Sequence, residues 1–146
     1  MTTRRTTDEA DVRQRLDKFL EAVRAMDVEG VRPIYARDIV SFDFVPPLKH
    51  VGAEAKLKNW VDVFAAYEPP LRYEIRELTI TMGDDVAFGR SFNRISGTLK
   101  NGNRADYWVR WTTCFQKLNG NWVIVHDQVS VPIDVKSGRG LLDLEP

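Results

Sequence analysis

The sequence predicts an α+β fold in which helices come first and an antiparallel sheet follows. Three observations carry that expectation. Apolar residues recur at helical spacing through 6–27 and again through 53–67. From residue 71 onward the chain runs in long strand-like segments instead. Two Asn-Gly pairs, Asn101-Gly102 and Asn119-Gly120, separate those segments, and Asn-Gly is the strongest short hairpin signal. Helices gathered on one face of such a sheet leave a conical cavity between the two layers.

The first helix is expected over 6–27, with Thr6 and Glu9 forming a capping-box pattern and Leu16, Phe19, Leu20 and Val23 on one face. Residues 1–7 are expected to fray. A short second helix starts near Asp27 and is kinked or restarted by Pro33. Residues 38–44 alternate as a short strand, and the paired prolines Pro46 and Pro47 make 45–52 a loop. The helix at 53–67 carries Leu57, Trp60, Val61 and Phe64 on one face and stops at Pro69-Pro70. Four strands follow at 71–82, 85–100, 104–118 and 121–133, and 134–146 forms a polar tail with a leucine patch.

At 146 residues the chain fits one domain, large enough to bury a core without disulfides or metal. Its net charge of zero argues against a dedicated nucleic-acid or membrane-surface binder. No apolar run reaches membrane-spanning length and no export signal is visible, so a cytoplasmic protein is expected. A lone cysteine, Cys114, excludes an internal disulfide. His50 and His126 sit in no cluster with metal-ligand spacing, and no glycine-rich phosphate loop opens a helix, so neither metal nor cofactor is expected. The strand at 104–118 has aromatic residues in both of its columns. The second sheet face is therefore expected to be covered, by a homodimer contact or by the C-terminal tail.

The segments "YARDIVSFD", "VGAEAKLKNWVDVF" and "NGNWVIVHDQVSVPID" resemble the NTF2-like superfamily, specifically its SnoaL-like, ketosteroid-isomerase-homologue group. The resemblance covers most of the chain and implies a cone-shaped fold, helices packed on a strongly curved sheet around a pocket. It places Asp43 at the isomerase's base and Tyr35 at a supporting pocket tyrosine. The isomerase's two oxyanion donors would fall at Phe19 and at Thr112 or Thr113, none of which is a tyrosine or a carboxylic acid. Since such donors are a large part of catalysis, authentic steroid isomerisation is not expected. The SnoaL-type cyclases place an acid/base aspartate on the last strand, at Asp127 here.

The expected site thus has Asp43 and Asp127 as catalytic carboxylates. Tyr35, Trp60, Phe64, Arg110, Val125 and Val129 are the pocket residues. Strict alternation along 122–132 would place Val125, Asp127 and Val129 on the concave face and His126, Gln128 and Ser130 on the convex one. Asp127 could instead be an ion-paired structural carboxylate, partnered by Arg110 or Arg90, and Arg110 could face either the pocket or a dimer contact. Two functions remain open. One is cofactor-independent acid/base chemistry, isomerase, cyclase or hydrolase, on a small apolar carbonyl, lactone or epoxide compound. The other is a non-catalytic homodimeric ligand-binding or association module.

Overall fold

The computed structural model describes residues 3–146. Helix α1 (Thr3–Arg24) is followed by a short α2 (Val28–Val31) and a 3-10 turn over Arg32–Ile34. Strands β1 (Tyr35–Phe42) and β2 (His50–Val51) flank the proline loop, and α3 (Ala53–Ala66) comes next. The second half is the expected meander, β3 (Tyr67–Met82), β4 (Val86–Leu99), β5 (Arg104–Leu118) and β6 (Asn121–Ser130). The six strands form one open sheet in the order β2-β1-β6-β5-β4-β3. All neighbours are antiparallel except β1 and β6, which run parallel.

Local chemistry explains most of these boundaries. Asp27 caps α2 by accepting from the Gly30 N–H at 3.1 Å. Pro33 occupies the first positions of the 3-10 turn, where its missing N–H costs nothing. Asn119 and Gly120 both take positive φ, 52° and 81°, the backbone of a two-residue type I′ hairpin turn. Several boundaries shift, and β1 runs Tyr35–Phe42 rather than 38–44. α1 already runs from Thr3, so Thr6 lies inside the helix rather than capping it, and Arg4 reaches the Asp85 carboxylate at 3.0 Å. β3 starts at Tyr67, ahead of the expected residue 71, and carries Pro69 and Pro70. They are tolerated because β3 is an edge strand.

One face of the sheet packs against α1 and α3. α1 buries Val12, Leu16, Phe19 and Val23, the helical stripe. Phe19 is its centre, stacked on Trp111 at 5.3 Å and edge-on to Tyr35, Trp60 and Tyr73. At the far end, Asp8 of α1 accepts from Lys117 of β5 at 3.0 Å and ties helix to sheet. The tail turns back through a bridge between Ile133 and Gly140.

Because Phe19 touches rings from β1, α3, β3 and β5, its removal opens a cavity shared by both layers. Phe19→Ala is expected to lower unfolding free energy by about 3–5 kcal/mol, read as a reduced urea midpoint with an unchanged slope.

Candidate functional site

The site is assembled where β1, β6 and α3 meet. The parallel pairing of β1 with β6 sets Ser41 beside Asp127. The Ser41 hydroxyl donates to Asp127 Oδ1. On the other side, Trp111 of β5 donates its indole N–H to Asp127 Oδ2 at 3.0 Å. The Asp127 side chain is fully buried. Its counter-charge comes from α3, where Lys56 Nζ lies 3.3 Å from Asp127 Oδ2 and 3.1 Å from Asp43 Oδ2. Asn59, one helical turn on, donates to the same Asp43 oxygen at 3.1 Å. The Phe44 backbone N–H donates to Asp43 Oδ1 at 2.9 Å.

A lysine with 4% side-chain exposure is costly unless paired. Burial by itself pushes the Lys56 pKa down, but attraction to Asp127 and then to Asp43 outweighs it, and the value stands above the usual one for lysine. Burial also lifts Tyr35, Tyr73 and Tyr107 above the ordinary phenol value, with the Asp127 charge adding to the rise at Tyr35. These hydroxyls stay protonated at neutral pH and can donate.

Asp43, Lys56 and Asn59 form one polar patch on a cavity of about 820 Å³. The rest of the wall is mainly apolar and aromatic, with Trp60, Val63, Tyr67, Tyr73, Ile95, Tyr107, Val109 and Val129. Asn93 adds a buried amide, and Leu142 from the tail closes part of the wall. Mostly apolar surface with a few placed polar groups is the composition of a small-molecule site.

The expected residues divide. Asp43, Trp60 and Val129 line this cavity. Asp127 does not; it lies behind Lys56 and joins the site through that ammonium. Tyr35 is also behind the wall, its hydroxyl accepting from the Trp60 indole N–H at 2.8 Å. Phe64 supports Trp60 at 5.6 Å without lining the cavity. Arg110 is corrected to the opposite sheet face, where it donates to Ser130 Oγ at 3.0 Å. Asp127 therefore pairs with Lys56, not with Arg110 or Arg90.

Val125 is corrected too. Pairing steps from Phe115↔Ile124 to Cys114↔His126, so Val125 is the extra residue of a β-bulge. The bulge shifts the alternation by one. Trp122 and Ile124 point inward before it, Asp127 and Val129 after it. His126 Nδ1 donates to the Val40 carbonyl at 2.5 Å and its ring meets Phe42 edge-on at 4.6 Å, which makes it a tie between β6 and β1.

Lys56 and Asn59 were not singled out by the sequence reading. A signal exists: Lys56 lies three residues after Ala53 and four before Trp60, on the stripe that α3 buries. A lysine on a buried stripe calls for a buried carboxylate partner. Among the described residues no group of three His, Cys, Asp or Glu is arranged to hold a metal, and no helix is long and apolar enough to cross a membrane.

Lys56→Met leaves two carboxylates facing a vanished cation and is expected to cost about 3–5 kcal/mol, the usual range for breaking a buried pair. The pH dependence has a definite sign. The folded chain holds the Lys56 proton more tightly than the unfolded chain does, so the pair's stabilisation is complete below the ordinary lysine value of 10.5 and is lost as pH rises toward the folded value. Tyr35 and Tyr73, raised above their ordinary 10.0, act in the same direction. Urea midpoints should fall from about pH 10 upward, and the fall should be shallower in Lys56→Met.

Residues 12–134 match the family described as SnoaL-like domain. No curated protein matches the sequence. Among solved structures, the chain is similar to an NTF2-like protein of unknown function from Pseudomonas putida KT2440, with 28% identity over 97% of this chain and 98% of that one and a TM-score of 0.86. It shares its fold with a ketosteroid isomerase-like protein from Erwinia carotovora atroseptica SCRI1043, at 24% identity, 83% and 93% coverage and a TM-score of 0.69. A protein with a cystatin-like fold from Nostoc punctiforme pcc 73102 is similar at 18% identity, 88% and 92% coverage and a TM-score of 0.69. With the match running from α1 through the end of β6, the chain belongs to the SnoaL-like domain family, within the NTF2-like fold.

Proposed function

We propose that the protein performs cofactor-independent acid/base chemistry on a small apolar carbonyl or epoxide compound, with Asp43 as the group that takes and returns the proton. The observation that carries this reading is the placement of Asp43. Its carboxylate borders an apolar cavity while Phe44, Lys56 and Asn59 hold it in one orientation. A carboxylate has about four acceptor sites, and these partners leave Oδ1 with capacity for a substrate proton. A base that is already oriented needs little rearrangement to react. Asp127, shut off from the cavity, acts through Lys56 by fixing the ammonium beside Asp43. Trp60 and Val129 shape the apolar wall, and Tyr35 and Phe64 hold Trp60 in place.

The reading predicts base-catalysed exchange. Incubated with enolisable ketones in deuterated water, the native chain should incorporate deuterium next to the carbonyl. Asp43→Asn should slow this at least about 100-fold, the lower range for removing a general base, without changing the thermal midpoint by more than a few degrees. Equal exchange in the two proteins would overturn the proposal.

A non-catalytic homodimeric ligand-binding module is the second reading, favoured by the exposed Val86 and Phe88 on the convex sheet face, 59% and 54% accessible in the single chain. Sedimentation equilibrium should give twice the chain mass, and Phe88→Glu should shift it toward the monomer.

A further inference from the structure

A base at Asp43 puts negative charge on the substrate's oxygen, and that charge needs a donor. Phe19 has no hydroxyl to supply it, but the cavity wall holds another candidate. Ser91, Asn93 and Ile95 share the inward face of β4, and Tyr73 of β3 pairs with Ile95. Tyr73 and Asn93 are therefore diagonal neighbours across the two strands. The Ser91 hydroxyl donates to Asn93 Oδ1 at 2.7 Å, which turns the amide so that Nδ2 donates to the Tyr73 hydroxyl at 2.8 Å. All three side chains are buried, with Asn93 at 2% exposure.

A phenol that accepts a hydrogen bond still has its own hydrogen to give. For Tyr73 that hydrogen has no acceptor among the described residues. Tyr73 and Asn93 both border the cavity that Asp43 borders. The other tyrosines are placed differently: no buried amide donates to the Tyr67 or Tyr107 hydroxyl among the described residues, as Asn93 does to Tyr73, and Tyr35 lies behind Trp60. The Tyr73 ring is held edge-on by Phe19 at 6.3 Å and Trp60 at 5.8 Å, so its hydroxyl cannot swing freely.

We infer that Tyr73, oriented by the Ser91–Asn93 chain, donates its hydroxyl hydrogen to the oxygen of a bound carbonyl compound. Combined with the proposed role of Asp43, on which this part rests, the substrate class is an enolisable ketone or aldehyde. The C–H bond beside the carbonyl breaks and its proton goes to Asp43. The electron pair forms a carbon–carbon double bond, and the carbonyl oxygen gains charge against the Tyr73 hydrogen. Return of the proton to the same carbon, or to a conjugated one, restores both the carbonyl and the carboxylate. Burial keeps Tyr73 above the ordinary phenol pKa, so it remains a donor throughout neutral pH.

The test uses two probes of similar shape, 2-acetylnaphthalene and 2-ethylnaphthalene, the second lacking the oxygen. Binding is read by quenching of tryptophan fluorescence. Tyr73→Phe keeps the ring, and a thermal melt checks that it folds. The ketone should bind about tenfold more weakly to Tyr73→Phe, while the hydrocarbon should stay within about twofold. The inference is overturned if the ketone binds the variant as well as the native chain, if both probes weaken alike, or if the ketone does not bind at all. Deuterium entry into the ketone's methyl group separates this from the role of Asp43. Exchange that needs Asp43 but not Tyr73 removes the donor and leaves the base. Tyr73-dependent binding without exchange keeps the donor and removes the base.

Discussion

The structure turns on one ammonium. Lys56 Nζ lies between the carboxylates of Asp43 and Asp127, and each of those groups belongs to a different stretch of chain. Through them α3 is fastened to the residue that follows β1 and to β6, while Ser41 and Trp111 bring in the last residues of β1 and the middle of β5. Buried charges of this kind contribute little net stability over an apolar core, because desolvation offsets attraction. What they contribute is position. Lys56 has one low-energy place to sit, and Asp43 is thereby held at the cavity wall in one orientation.

The same constraint divides the two carboxylates by role. Asp127 is enclosed by Ser41, Trp111 and Lys56 and does not border the cavity, whereas Asp43 does. A pair of aspartates that looks equivalent in sequence thus becomes one group at the cavity and one group behind it. The β-bulge at Val125 is the backbone feature that makes this possible. Without the extra residue, Trp122 and Ile124 could not point inward on the same strand as Asp127 and Val129.

A second polar chain, Ser91–Asn93–Tyr73, runs along β4 and β3 with no charge in it. Phe19 and Trp60 pack on Tyr73 from the helical layer. Phe19 therefore substitutes packing for hydrogen bonding: it supplies no hydroxyl to the cavity, yet it fixes a neighbouring ring that has one. The helical layer, the sheet and the cavity wall are coupled through these rings.

Short-range chemistry made much of this legible beforehand. Helical stripes at Leu16, Phe19 and Val23, the Asn119-Gly120 turn and the period-two runs are local patterns, and they determine element order and fold class by themselves. Asp43, which borders the cavity, was marked by the resemblance of residues 35–43 to the isomerase pattern and not by a local rule. Tertiary structure decided the rest. The side of the sheet that Val125 occupies depends on a bulge set by pairing between β5 and β6, which alternation along one strand cannot reveal. Arg110, on the unbroken alternation of β5, falls opposite Val109 and Trp111, and only the fold shows that theirs is the face under the helices. Lys56 became a site residue only when residues 71 positions apart, Lys56 and Asp127, met in a place without water. There a charge must find its opposite, and no count along the chain states which one it finds.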